Sequence, residues 1–206
     1  MKPLILVLVI AYVVLSACDE EANRTLLERQ FDAHVAAAGL QRAKVTYAVS
    51  PVRESWPLQF SLLTSGTVGK FRVDSGFGDT IHIILDDGTN TLYCSNSVKA
   101  ATDGSCTYKY AAFAGFMEFP LWSGVSSAGQ AEVISESHEQ ILGATARCFQ
   151  TLYEAWEVDY CYSADFRLLR SRWQLNDGMP SIYTAITVEG VRETDFEPPY
   201  PIVESD

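Results

Sequence analysis

Four cysteines, Cys94, Cys106, Cys148 and Cys161, are the residues of this 206-residue chain whose types and spacing speak most directly of chemistry. A cysteine sulfur can attack, bind a metal or pair with another sulfur. Cys94 and Cys106 lie twelve positions apart, Cys148 and Cys161 thirteen, and each pair flanks a turn-like segment between strand-like ones. Four cysteines allow three connectivities. The spacing favours local pairing, Cys94 with Cys106 and Cys148 with Cys161, each loop contributing about 3 kcal/mol in the chain-entropy picture. A zinc site would need a C-x-x-C or a histidine beside either pair, and neither is there.

The remaining candidates for chemistry do not assemble. His34 falls on a helix-like stretch, His82 alternates with Ile81 and Ile83, and His138 in ESHEQ has no second histidine at zincin spacing. GTVGK (66–70) is too short for a phosphate loop and reads as a turn. GVSSAG (124–129) lacks the G-x-S-x-G spacing of a nucleophile elbow. Asp86-Asp87-Gly88 lacks the other carboxylates of a calcium loop. Glu132, Glu136 and Glu139 read as a solvated acidic face rather than paired catalytic carboxylates. The sequence therefore predicts neither an enzyme nor a resident metal or cofactor.

The compartment is written at the N-terminus. Lys2 is the only positive side chain before an uncharged apolar run from Leu4 to Leu15. As a helix this run reaches about 18 Å, short of a hydrocarbon core of roughly 30 Å. A charged start, a short apolar stretch and then small residues is a secretory layout, which suits paired cysteines. Leu15-Ser16-Ala17-Cys18 resembles the bacterial lipoprotein signal, in which cleavage occurs on the cysteine. That resemblance implies a signal peptide at 1–17, a diacylglyceryl group on the Cys18 sulfur and fatty acylation, such as palmitate, on its freed amine. Residues 18–21 would then be anchor and short linker. The two alternatives are an ordinary signal peptide cleaved nearby and an uncleaved anchor. An acidic residue after the cysteine, here Asp19, retains such proteins on the inner membrane of some two-membrane bacteria. The expected location is the outer face of the cytoplasmic membrane, with the outer membrane as the alternative.

Formal net charge is −11. Such a surface is repelled by phosphate backbones and anionic headgroups, so no nucleic-acid partner is expected and membrane contact should come from the anchor. The chain past residue 17 has the size of one domain and can bury most of its unfolded surface without a metal.

The elements follow from periodicity. Residues 22–39 read as a helix: Thr25 and Glu28 have capping-box spacing, Leu27, Phe31 and Val35 recur every fourth residue, and Gly39 stops it. From Lys44 the period becomes two. KVTYAV, PLQFSLL, KFRVD, TIHIIL, TLYC and CTYKY alternate, with an Asp-Gly turn signal at 87–88. ARCFQTLY, WEVDYCY, RLLRSRWQL and SIYTAITV follow past residue 140. Eight or nine short strands at this spacing predict an antiparallel sheet. YAAFAGFMEFPLWSGV (110–125) lacks alternation and reads as a short helical or aromatic plug: a filler for the open side of the sheet, or a lid over a hydrophobic cavity.

Taken in order, KFRVD, TLYCS answered by SCTYKY, LGATARCF answered by VDYCYS and RLLR, and the final TDFEPPYPIV resemble a family of exported half-barrel lipoproteins. It is related to Lol-type lipoprotein carriers and mycobacterial lipid-carrier lipoproteins. The likeness covers roughly residues 44–203. It implies an α+β, mainly antiparallel fold in which a curved half-barrel sheet wraps an N-terminal helix and the plug, with residues 22–203 as one domain. It further implies a membrane-anchored protein that binds or carries a lipid or other hydrophobic ligand, with Phe113, Phe116, Met117, Phe119 and Trp122 lining the pocket. The alternative is a tethered envelope interaction or signalling module with a packed core and no ligand, its partner an envelope protein. Three prolines, Pro198, Pro199 and Pro201, keep the tail 194–203 extended, and Phe196 and Tyr200 are expected to pack it against a sheet edge.

Overall fold

Thr25 opens the first element as its N-cap. Its backbone is extended, its hydroxyl accepts the Glu28 N–H at 3.2 Å, and its own N–H donates to the Glu28 carboxylate at 2.6 Å. This reciprocal box starts helix α1 at Leu26 and carries it to Gly39, so the helix begins four residues later than the periodicity alone suggests. The computed structural model describes residues 25–50, 59–67, 70–77, 80–87, 89–97, 104–109, 131–153, 156–175 and 178–203. Cys18 and the signal segment lie outside the described residues, as do Phe113, Phe116, Met117, Phe119 and Trp122 of the expected plug.

Eleven strands follow: β1 Arg42–Ser50, β2 Gln59–Ser65, β3 Lys70–Phe77, β4 Thr80–Asp87, β5 Thr91–Ser97, β6 Ser105–Lys109, β7 Glu132–Ile141, β8 Ala144–Tyr153, β9 Trp156–Tyr162, β10 Leu168–Leu175 and β11 Ser181–Glu189. They form one open, curved sheet in the order β6-β5-β4-β3-β2-β1-β11-β10-β9-β8-β7, with every neighbouring pair antiparallel. The expected eight or nine strands become eleven. The strand missed altogether is β7, whose EVISESHEQI is mostly exposed because it ends the sheet and has one neighbour. Extra residues interrupt the pairing at Ile134, Leu169 and Ile186, and such bulges increase twist and bend a sheet.

Alternation sorts the strands between two faces. On one face, Phe31 and Val35 of α1 bury against Phe149 and Tyr160, the Phe31 ring lying 5.5 and 5.7 Å from theirs. Tyr47 stacks on Phe60 at 5.1 Å and its hydroxyl donates to the Leu168 carbonyl at 2.8 Å, so a fully buried phenol is satisfied. Two positive-φ residues shape the edges of this core. The hairpin between β7 and β8 turns on Leu142 (φ 53) and Gly143 (φ 74), the backbone signs a two-residue turn requires. Phe166 (φ 64) sits where an aromatic residue is strained; the Ser163 hydroxyl accepts the Arg167 N–H at 2.9 Å, and the ring packs on His34 at 5.1 Å.

The opposite face is closed by the end of the chain. After β11 a 3-10 turn, Glu193–Phe196, is pinned by Lys70 and Arg42 to Glu193 and by Arg72 donating to the Asp195 carbonyl at 2.7 Å. The tail then crosses to the outer edge of the sheet, where Tyr200 covers a small second core of Ile83, Leu85, Leu92, Cys94 and Cys106. Cys106 N–H donates to the Pro201 carbonyl at 2.9 Å and its carbonyl accepts the Val203 N–H at 2.8 Å.

Phe31→Ala should cost about 3–5 kcal/mol, because the helix loses the ring that seats it on the sheet. Tyr47→Phe should cost about 1 kcal/mol for the stranded Leu168 carbonyl. Urea melts of the oxidised chain check both; a Tyr47→Phe cost as large as that of Phe31→Ala would contradict this ranking.

Candidate functional site

Both disulfides are formed between residues directly opposite each other in neighbouring strands: Cys94–Cys106 joins β5 to β6 and Cys148–Cys161 joins β8 to β9. Glu139 lies close to the second bridge, yet sulfurs bonded to each other have no thiolate to give a metal. Glu139 is instead gripped by both terminal nitrogens of Arg170, which hold its carboxyl below the usual range. Glu136 is likewise bound by Arg147 at 2.6 and 2.8 Å, and those hydrogen bonds lower its carboxyl further than its slight burial raises it. The acidic series on β7 is thus part of an ion-pair lattice: Arg147 also reaches Gln30 of α1 at 2.5 Å and lies over the Phe149 ring. His34 sits half-buried among Phe149, Tyr162 and Phe166, and His138 stands exposed 3.9 Å from Glu136.

The register of the first half-sheet builds a different feature. Val45, Leu62, Val73, Ile84 and Tyr93 are successive cross-strand partners from β1 to β5, an unbroken apolar row on the helix-bearing face. The next row on that face is Phe60, Ser75, His82, Ser95 and Ser105, polar beyond its first member. One strip of the sheet is therefore amphiphilic, with four strands contributing to it. At its inner end, under the C-terminus of α1, a cavity of about 40 Å³ is lined by Ala38, Val45, Tyr47, Leu62 and Tyr162 among others. At its outer end the His82 Nδ1 and the Tyr93 hydroxyl share a hydrogen bond across β4 and β5. Burial lowers the His82 pKa from its ordinary 6.5 and raises that of the Tyr93 phenol, so both stay neutral at pH 7.

Helix α1 reaches only part of this face. Fourteen residues make it about 21 Å long, whereas eleven strands at about 4.8 Å spacing span roughly 50 Å. It packs on β7 to β9, and its C-terminus shares the cavity with the start of β1 and the end of β2. The row across β3 to β5 runs past its end. Of the residues singled out in sequence, the structure brings His82 to this strip and leaves His34 and His138 in the other half. Val73, Ile84 and Tyr93 were visible only as strand residues; their common row needs the register, which no single strand carries.

The chain matches no protein-family model and no curated protein. Among solved structures it is similar to PNGF-II (12% identity, TM-score 0.42), covering 80% of this chain and 31% of that one. It is also similar to MucB in complex with MucA(peri) (10% identity, TM-score 0.44; 82% and 59%). A third likeness is to a Vibrio parahaemolyticus domain described as an outer membrane lipoprotein-sorting protein (11% identity, TM-score 0.27; 82% and 94%). The chain spans about a third of the length of the first of these structures. At these scores nothing those proteins bind or do transfers to this chain.

Because the folded His82 pKa lies below the unfolded value, the unfolded state takes up the proton first as pH falls. Stability should be full above about pH 7.5 and decline as pH drops through 6.5. Urea midpoints for wild type and His82→Gln between pH 8 and pH 5.5 test this: the variant should show a flatter profile, and parallel profiles would remove His82 as the cause.

Proposed function

We propose that this chain is a lipid-anchored extracytoplasmic protein that holds an apolar ligand, an acyl chain, along the row from Leu62 to Tyr93. The observation that carries the reading is the row itself. Four apolar side chains in line across four strands, bordered by Ser75, His82 and Ser95, offer an amphiphile a dry track for its tail and hydroxyls for its polar end. From Leu62 to Tyr93 the track is about 14 Å long at about 4.8 Å per strand. The Leu15-Ser16-Ala17-Cys18 motif supports the tether. Six residues separate Cys18 from the helix cap at Thr25, a seven-step reach of at most roughly 24 Å, so the strip would work beside the membrane that supplies its ligand. No catalytic role is assigned.

A second reading, a tethered interaction module with a filled interior, is favoured by the small size of this cavity among the described residues. About 40 Å³ admits a water molecule, whereas ligand pockets run to several hundred cubic ångströms.

Native mass spectrometry of residues 19–206, exported and purified without detergent, separates the two. The carrier reading expects an added mass that extracts as lipid, reduced about tenfold or more by Val73→Asp with both disulfides still closed. A clean mass for the wild type supports the module. In the producing cell, Cys18→Ala should abolish labelled palmitate incorporation and move the chain from the membrane to the soluble fraction; retention on the membrane would defeat the tether.

A further inference from the structure

The tail after Phe196 touches the sheet as a bound peptide does. We propose that the tail-bearing face of β4 to β6 is a docking groove for an extended protein segment of the type aromatic–proline–aliphatic. Residues 198–203 are its resident occupant in cis, which such a segment displaces. The partner is therefore a protein presenting that sequence chemistry.

Three observations carry this. First, the mode of contact is strand addition at a sheet edge. Ile202 lies parallel to Cys106 at the end strand β6, held by the two main-chain bonds that flank it, while one ring fills a recess. The recess is shaped for that ring: a Cβ on Gly104 would sit 2.6 Å from the Tyr200 ring, so only glycine admits it. Second, the tail is divided in two. The ion pairs of Arg192, Glu193 and Asp195 with Arg42, Lys70 and each other hold the 3-10 turn on β1 and β3, upstream of exposed Pro198 and Pro199. Residues 198–203 can leave while the turn stays latched, so displacement unfolds nothing. Third, the groove is larger than its occupant. Ile81 and Tyr108 lie on the same face by register, next to Ile83 and Leu92, and stay 39% and 55% exposed, while Ile202 and Val203 remain 45% and 44% exposed. A longer partner segment could cover what the tail leaves open, which gives it an advantage over the tail.

The proposal does not depend on lipid binding. The probe is a fluorescent peptide of residues 197–203, Glu-Pro-Pro-Tyr-Pro-Ile-Val, added to the full chain and followed by anisotropy. Binding to Tyr200→Ala, whose own tail cannot dock, should be about tenfold or more tighter than to wild type, because cis occupancy lowers the competent fraction. Gly104→Val in the Tyr200→Ala background should abolish binding, and a peptide with alanine for tyrosine should bind neither chain. Should Tyr200→Ala lose its disulfides or its far-UV spectrum, Pro198→Gly/Pro199→Gly replaces it, slackening the tether with the groove untouched; tighter peptide binding than wild type is again expected. Equal affinity for the wild type and a folded tail variant, or binding that survives Gly104→Val, overturns the groove.

Discussion

The hydrogen-bonded pairing of β1 with β11 is the constraint from which the rest of the architecture follows. Each half of the sheet is a simple meander in which neighbours in sequence are neighbours in space. This pair, Lys44 opposite Glu189 through Ser50 opposite Ile182, joins the two meanders into one sheet. The join puts Tyr47 beside Ala185 and Val49 beside Tyr183, all buried, so the central strands are the most apolar on the helix-bearing face. It also has the highest sequence separation of the strand pairings, the kind of contact that makes a β topology slow to form.

On either side of this join the two half-sheets are finished differently. The second half is covered by α1, whose N-terminal half is clamped by Gln30 to Arg147 and whose Phe31 fills the space over Phe149 and Tyr160. The first half receives the polypeptide's end on one face and presents the Leu62-to-Tyr93 row on the other. A helix of 14 residues could not do both jobs, and the division of labour follows from its length.

Local signals were legible. The Thr25–Glu28 box, the alternation of Val45, Tyr47 and Val49, and the two cysteine pairs are each readable within a dozen residues, and each is present in the structure. What escaped needed a second strand to be seen. β7 looked like a solvated acidic stretch because a terminal strand has little apolar face to advertise, and its Glu136 and Glu139 meet Arg147 of β8 and Arg170 of β10 only in the folded sheet. The turn at Leu142-Gly143 lacks the usual asparagine or aspartate, so nothing marked it. The apolar row draws one residue from each of five strands, and Gly104 gains its meaning only when Tyr200 arrives from almost a hundred positions away.

The two disulfides never cross the central join. Each staples one strand to its immediate partner within its own half, Cys94 to Cys106 on one side and Cys148 to Cys161 on the other. Oxidation can therefore proceed one hairpin at a time, in the order in which the chain is synthesised. The first bridge needs nothing beyond residue 109, and the second needs nothing from the first half. Thiol pairing is thereby separated from the slow meeting of β1 with β11, and each half-sheet can carry its native covalent link before the two are joined.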